Sequence, residues 1–213
     1  MDKPVLVKEL KHVKLEIFQD DQAQSPDEWG NEDLFLVGYH RDFYVDLGKR
    51  VDGKNVPGIS QGLAQDIARG GKYEDGSENS EAMDYVRDYH IFGLEAYIHS
   101  GVVLALSREG NFPDRQWDVS QLGLVFVSRK ERKDREKARL AAHSLITEWN
   151  DYLSGNVYGY NITSADGDNL YSCWGFIGDM EDNILPEAMK QAQYFNREQS
   201  RVKRLTAVCA DQL

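Results

Sequence analysis

At 213 residues the chain suits one large domain or two small ones, and with 41% hydrophobic and 11% aromatic residues it is too apolar for intrinsic disorder. Its formal net charge of −11 disfavours a general nucleic-acid binder, because phosphate contact needs cations. No apolar run approaches the ~20 residues of a membrane span, the N-terminus lacks an apolar signal core, and two cysteines, Cys173 and Cys209, are too few for a disulfide framework, so a cytoplasmic protein with reduced thiols is expected.

Along the chain, Val5–Val7 and Val13–Leu15–Ile17 alternate with polar residues, which predicts a strand or hairpin over Pro4–Gln19. The loop Asp20–Asp33 follows, with six acids, no base and Trp29 in its middle. Leu34–Tyr39 reads as a buried strand, and Lys49–Gly58 as a loop. Short helices are expected over Ser60–Ala68, stopped by Gly70-Gly71, and over Ser80–Tyr89. The apolar region Ile91–Ser107 reads as two strands broken at Ser100-Gly101, and Val119–Val127 as another strand.

Ser128-Arg129-Lys130-Glu131 has the form of a capping box and predicts a helix from there to about Leu153, with Ala138, Ala142, Leu145, Trp149 and Tyr152 as its apolar stripe and Gly155 past its end. The stretch "GNVYGYNITSADGDNLYSCWGFIGD" then predicts a hairpin turning at Gly167. In that register Tyr158 faces Phe176, Tyr160 faces Trp174, Asn161 faces Cys173, and Gly159 lies across from Gly175. The paired glycines imply a notch for another backbone, with the helix Arg129–Leu153 as its filler and Cys173 as a buried, inert thiol beside it. A last helix over Pro186–Ala210 carries Ala188, Ala192, Phe195, Val202, Leu205 and Cys209 as its stripe. Hairpins mixed with helices, without a strand–helix–strand alternation, give an α+β fold: a mainly antiparallel sheet packed against one long central helix and a C-terminal helix. The expected organisation is a single domain over 1–213 with a loop-rich insertion at about 48–90.

Nothing in the chain matches a Gly-rich phosphate loop, a paired-cysteine or His-Glu-x-x-His metal motif, or an EF-hand, so no cofactor or metal is expected. Asp166-Gly-Asp168-Asn169 reads as a hairpin turn. Three groupings remain. The first is the acidic segment: Asp20, Asp21, Asp27, Glu28, Glu32 and Asp33 around Trp29 form a candidate anchor for a basic partner surface. In the second, His99, Ser100 and Asp118 offer a base, a nucleophile and an orienter for a hydrolase-like site, although no GxSxG elbow is present. The third is Arg129–Arg139, where seven of the 25 basic residues concentrate and could contact nucleic acid.

Several phrases also occur together in one family. "SPDEWGNEDLFLVGYHRDF", "YIHSGVVL", "QWDVSQLGLVFVSR" and "YLSGNVYGYNI…YSCWGF" resemble, in the same order, an uncharacterised family of bacteriophage and mobile-element proteins. The matching positions are Pro26 and Trp29, His99–Gly101, Trp117–Asp118, Gly155–Gly159 and Ser172–Phe176, within residues 14–178. The chain departs from the pattern in its insertion around 48–88, and in Ile98, where the relatives carry an acid. The resemblance implies a phage context and a small acidic accessory protein acting in the host cytoplasm. Such a protein would bind and inhibit a host defence protein in an anti-CRISPR-like manner, its acids competing for a basic groove that holds nucleic acid. The family carries no activity over to this chain; no enzyme is expected, and the net charge of −11 disfavours direct nucleic-acid binding.

Overall fold

The computed structural model describes residues 3–51, 54–56, 58–113 and 115–210, without the side chains of 49–51, 54–56 and 206–210. In chain order the strands are β1 (Leu6–Glu9), β2 (Val13–Gln19), β3 (Leu34–His40), β4 (Phe43–Val45), β5 (Lys49–Val51), β6 (Lys54–Val56), β7 (Tyr89–Ile98), β8 (Val102–Leu106), β9 (Val119–Ser128), β10 (Val157–Ser164) and β11 (Asn169–Ile177). The helices are α1 (Gln61–Ala68), α2 (Ser80–Asp88), α3 (Arg115–Asp118), α4 (Arg135–Leu153) and α5 (Leu185–Ala210). Strand pairing is antiparallel throughout, so the fold is α+β with hairpins, a long internal helix and a C-terminal helix. The contacts divide the chain into two compact units, a terminal one (Met1–Gln24 with Ser154–Leu213) and a central one (Ser25–Leu153).

The terminal unit is a sheet of order β1-β2-β10-β11 with α5 on one face. Alternation makes it so: Val13, Leu15 and Ile17 of β2 are buried, while Lys14, Glu16 and Phe18 point the other way. Tyr160 and Ile162 of β10 continue the buried face, and α5 lays Ala188 and Ala192 against it, small residues that let the helix come close. Burying each such Leu, Ile or Val contributes ~1.5–3 kcal/mol relative to exposure. The hairpin turn is fixed by Ser164, whose hydroxyl oxygen accepts from the amides of Asp166 (3.2 Å) and Asp168 (3.1 Å), and by Gly167 at φ +92°.

The central unit is a three-layer sandwich. Its sheet runs β4-β3-β9-β7-β8. One face, with Leu36, Leu94, Ala96, Leu104, Val125 and Val127, packs on Ala138, Ala142, Leu145, Ile146 and Trp149 of α4. The other, with Phe35, Val37, Leu124 and Phe126, packs on Ala64, Ile67 and Ala82 of α1 and α2. Covered on both sides, β3 is buried without a break from Phe35 to Gly38. Where β3 meets β9, Gly38 pairs with Gly123, and a Cβ on Gly123 would fall 1.9 Å from the Val37 carbonyl oxygen. The expected helices at 60–68 and 80–89 are present, each with its N-cap: Ser60 accepts from the Leu63 amide, and Asn79 from those of Glu81 and Ala82. The stretch expected to be a loop-rich insertion thus supplies one layer of the sandwich, and the expected loop Lys49–Gly58 carries the β5–β6 pair.

Other expectations also differ from the structure. α4 starts at Arg135, not at Ser128; Ser128 stays in the β9 ladder, its amide donating to Asp33 O at 2.7 Å, and Asp134 caps the helix by accepting from the Lys137 amide at 2.9 Å. The hairpin pairs Tyr158 with Phe176 as expected, but a bulge at Trp174-Gly175 shifts the rest, so that Tyr160 faces Cys173 and Asn161 faces Ser172. The notch over Gly159 is filled by the Trp174 side chain, which a Cβ would approach to 2.1 Å, and the helix packed on this sheet is α5. Finally, the α5 stripe divides: Ala188 and Ala192 are buried, Val202 and Leu205 are exposed, and the Cys209 side chain lies outside the described residues. Cys173, expected to be buried, is a free thiol only half-buried on the Tyr160 side of the sheet.

Candidate partner-binding surface

The acidic segment is divided between the units. Asp20 and Asp21 belong to the terminal unit, where Asp20 is in use: its carboxylate accepts from the Gly175 amide (3.1 Å) and the Gln22 amide (3.2 Å), and its own amide donates to Val157 O (2.8 Å). It braces the bulged end of the hairpin, and Asp21 beside it is exposed. Asp27, Glu28, Trp29, Glu32 and Asp33 belong to the central unit, and all five are exposed, Trp29 at 46%.

The segment 25–34 has defined local structure. Pro26 is buried and opens a single 3-10 turn, Pro26–Trp29. Ser25 hydrogen-bonds the Asp27 carboxylate. Gly30, at φ +67°, ends the turn with its amide on Asp27 O. The Asn31 side chain accepts from the amides of Asp33 (3.0 Å) and Leu34 (3.2 Å), leading the chain into β3. Beneath lies an aromatic cluster: Phe35 stacks on Phe126 with centroids 4.7 Å apart, and Tyr89 meets both edge-on. The Tyr89 hydroxyl donates to Glu32 O at 3.1 Å. Burial first, then the Asp33 carboxylate, pushes that hydroxyl above its usual pKa, so it stays a donor over the whole neutral range.

Beside the acids runs the basic loop between β9 and α4. Asp33 and Asp88 share an open groove with Arg87, Tyr89, Ser128, Arg129 and Lys130. Arg129 is tied down twice, its amide to Asp88 O and its Nε to Tyr89 O, both at 2.9 Å.

A second exposed feature lies at the β7–β8 end of the same sheet. Glu95, 0% exposed, accepts two bonds from Arg115 (2.8 and 2.9 Å) and one each from the amides of Arg108 and Gly110. This buried carboxylate, satisfied by four hydrogen bonds from three nitrogens, fixes the loop after β8 and the short α3. Phe112 stacks on Tyr97 in the same loop. Trp117 of α3 stands out at 86% exposed, in contrast to a core aromatic. The signal in the sequence was a lone acid inside the apolar strand Tyr89–Ile98.

The residues of the hydrolase-like grouping are not linked, although the β7–β9 register, with Tyr97 opposite Val119, brings Asp118 to the same end of the sheet as His99. His99 and Ser100 are exposed in the β7–β8 turn, Asp118 ends α3, and among the described residues no hydrogen bond joins them. Among the described residues no group of three or more His, Cys, Asp or Glu is placed to hold a metal ion, and no helix is long and apolar enough to cross a membrane. No protein-family model, curated protein or solved structure matches the chain.

Proposed function

We propose that this chain is a binding protein of the accessory kind carried by phages and mobile elements. It engages a basic surface on a host defence protein through Asp27, Glu28, Trp29, Glu32 and Asp33. One observation carries the reading: four exposed carboxylates surround a half-exposed indole on a segment held by its own hydrogen bonds. Crowded like charges repel one another, and a cationic partner relieves that cost while adding attraction. The fixed backbone limits the ordering entropy lost on binding. Competition with nucleic acid for a basic groove would give the anti-CRISPR-like inhibition that the sequence resemblance suggests. Asp20 and Asp21 are not part of this surface: they belong to the terminal unit, where the Asp20 carboxylate already holds the hairpin.

The test pairs two baits in quantitative capture from host lysate: wild type, and the variant with Asp27, Glu28, Glu32 and Asp33 changed to Lys. A partner retained by wild type and lost from the charge-reversed bait supports the reading. Equal recovery of every partner by both baits rejects it.

A further inference from the structure

The basic loop has a use that the acidic segment does not explain. Residues 129–137 hold six cations against three acids in a protein of net charge −11. Two of the six are engaged: Arg129 on Tyr89 O, and Arg135 over the Phe92 ring at 4.8 Å. Lys130, Arg132, Lys133 and Lys137 are exposed and make no ion pair with a described residue. At the Arg129 end Asp33 and Asp88 offset part of the nearby charge, so the surplus grows from Lys130 toward Arg132, Lys133 and Lys137.

The loop backbone is held as firmly as the acidic segment. The Arg132 amide donates to Ser128 O at 3.0 Å, and its carbonyl oxygen lies 2.9 Å from Nε2 of His90. With a carbonyl as partner, that nitrogen carries the proton and donates. His90 is 2% exposed and its Nδ1 has no partner, so a half-satisfied buried ring is retained while holding this loop. The cations sit at the N-terminal end of α4, where the helix dipole disfavours them. Asp134 is occupied as the cap, leaving Glu136 as the acid in the first turn. A bound row of phosphates relieves both the mutual repulsion and the dipole conflict.

We infer that the segment 129–137, the loop and the first turn of α4, contacts the phosphate backbone of a nucleic acid through Lys130, Arg132, Lys133 and Lys137. The segment 129–137 contains no apolar side chain to insert between lipids, which favours a nucleic acid over a membrane surface. It offers no exposed aromatic to stack on bases, so the contact is independent of sequence. The inference extends the proposed role: Ser128 and Asp33 are hydrogen-bonded neighbours, so the central unit carries an acidic segment and a basic loop side by side. A nucleoprotein target offers the matching pair, a protein's cations and a strand's phosphates. The loop's own contact is testable without that target.

The test is fluorescence anisotropy of a labelled single-stranded oligonucleotide of about 20 nucleotides with the full chain, across about 50–200 mM salt. Binding is expected in the ~1–100 µM range, with a log–log salt slope of about −3 from four phosphate contacts. Changing Lys130, Arg132, Lys133 and Lys137 to Glu should abolish it. The milder pair Lys133→Ala and Lys137→Ala, which guards against misfolding of the first variant, should flatten the slope by about 1.4. Reversing Asp27, Glu28, Glu32 and Asp33 should not weaken it, so this result stands or falls apart from the partner reading. Absence of saturable binding at low salt, or full binding by both loop variants, overturns the inference. Loop-dependent binding to anionic vesicles without binding to the oligonucleotide also overturns it.

Discussion

The two larger sheets of this protein bury their residues in different ways. In the terminal unit one helix covers one face, so β2 alternates buried with half-buried side chains and leaves Phe18 and Trp174 stacked on the open side, 5.9 Å apart. In the central unit helices cover both faces, and β3 and β9 are buried through consecutive residues. Space for a new atom differs accordingly. At Gly123 the obstacle is another strand's backbone; at Gly159 it is the side chain of a half-exposed tryptophan. Packing density alone does not set tolerance; what matters is whether the neighbour can move.

That difference predicts unequal responses to the same substitution. Gly123→Val forces β3 and β9 apart, and a loss of about 3 kcal/mol or more is expected in urea denaturation. Hydrogen exchange should rise first in residues 34–40 and 119–128, and unchanged stability would remove the close-approach argument. Gly159→Val meets Trp174, which can swing toward solvent, so a smaller loss of about 1 kcal/mol is expected, with a change in tryptophan fluorescence. An equal loss at both positions would break the comparison.

A third difference appears only at alkaline pH. Burial first, and then Tyr171, Cys173 and Glu187 nearby, pushes the Tyr160 hydroxyl up to about 12 from an ordinary 10. The unfolded chain releases this proton near 10 and the folded chain near 12. The stability it contributes is therefore whole below pH 10 and is lost as pH rises through 12. Tyr160→Phe should flatten the alkaline loss of stability in urea titrations between those values. Some slope should survive, since Tyr39 and Tyr89 of the central unit are also raised, mainly by burial. An unchanged slope would mean that Tyr160 titrates as an exposed phenol.

Much of this architecture is legible in the residues. The alternation Val13–Leu15–Ile17, the unbroken Phe35–Val37 and the spacing of Ala138, Ala142, Leu145 and Trp149 each follow from which faces are covered. The start of α4 was not legible, because Ser128 and Glu131 satisfy a capping pattern while the Ser128 amide is committed to Asp33 across the sheet. Hairpin register is not encoded locally for a similar reason: the bulge at Trp174 depends on Gly175 adopting φ +82° and donating to Asp20, 155 residues away in the chain. Of the candidate surface, the exposed acids and Trp29 could be read from a segment without bases, punctuated by Pro26 and Gly30. The use of Asp20 in the hairpin, and the Glu95–Arg115 pair that holds out Trp117, are long-range contacts that local pattern does not encode.

The most direct test of the central claim is the association rate of the captured partner as a function of ionic strength, for wild type and for the protein with Asp27, Glu28, Glu32 and Asp33 changed to Lys. Exposed charges are screened over ~8 Å at physiological salt. The wild-type on-rate should therefore fall steeply as salt rises, by about tenfold or more. The reversed variant should associate slowly at every salt concentration and lose the dependence, with its thermal stability unchanged. Equal on-rates for the two proteins, equally sensitive to salt, would contradict the account and leave the acidic segment as solvated surface.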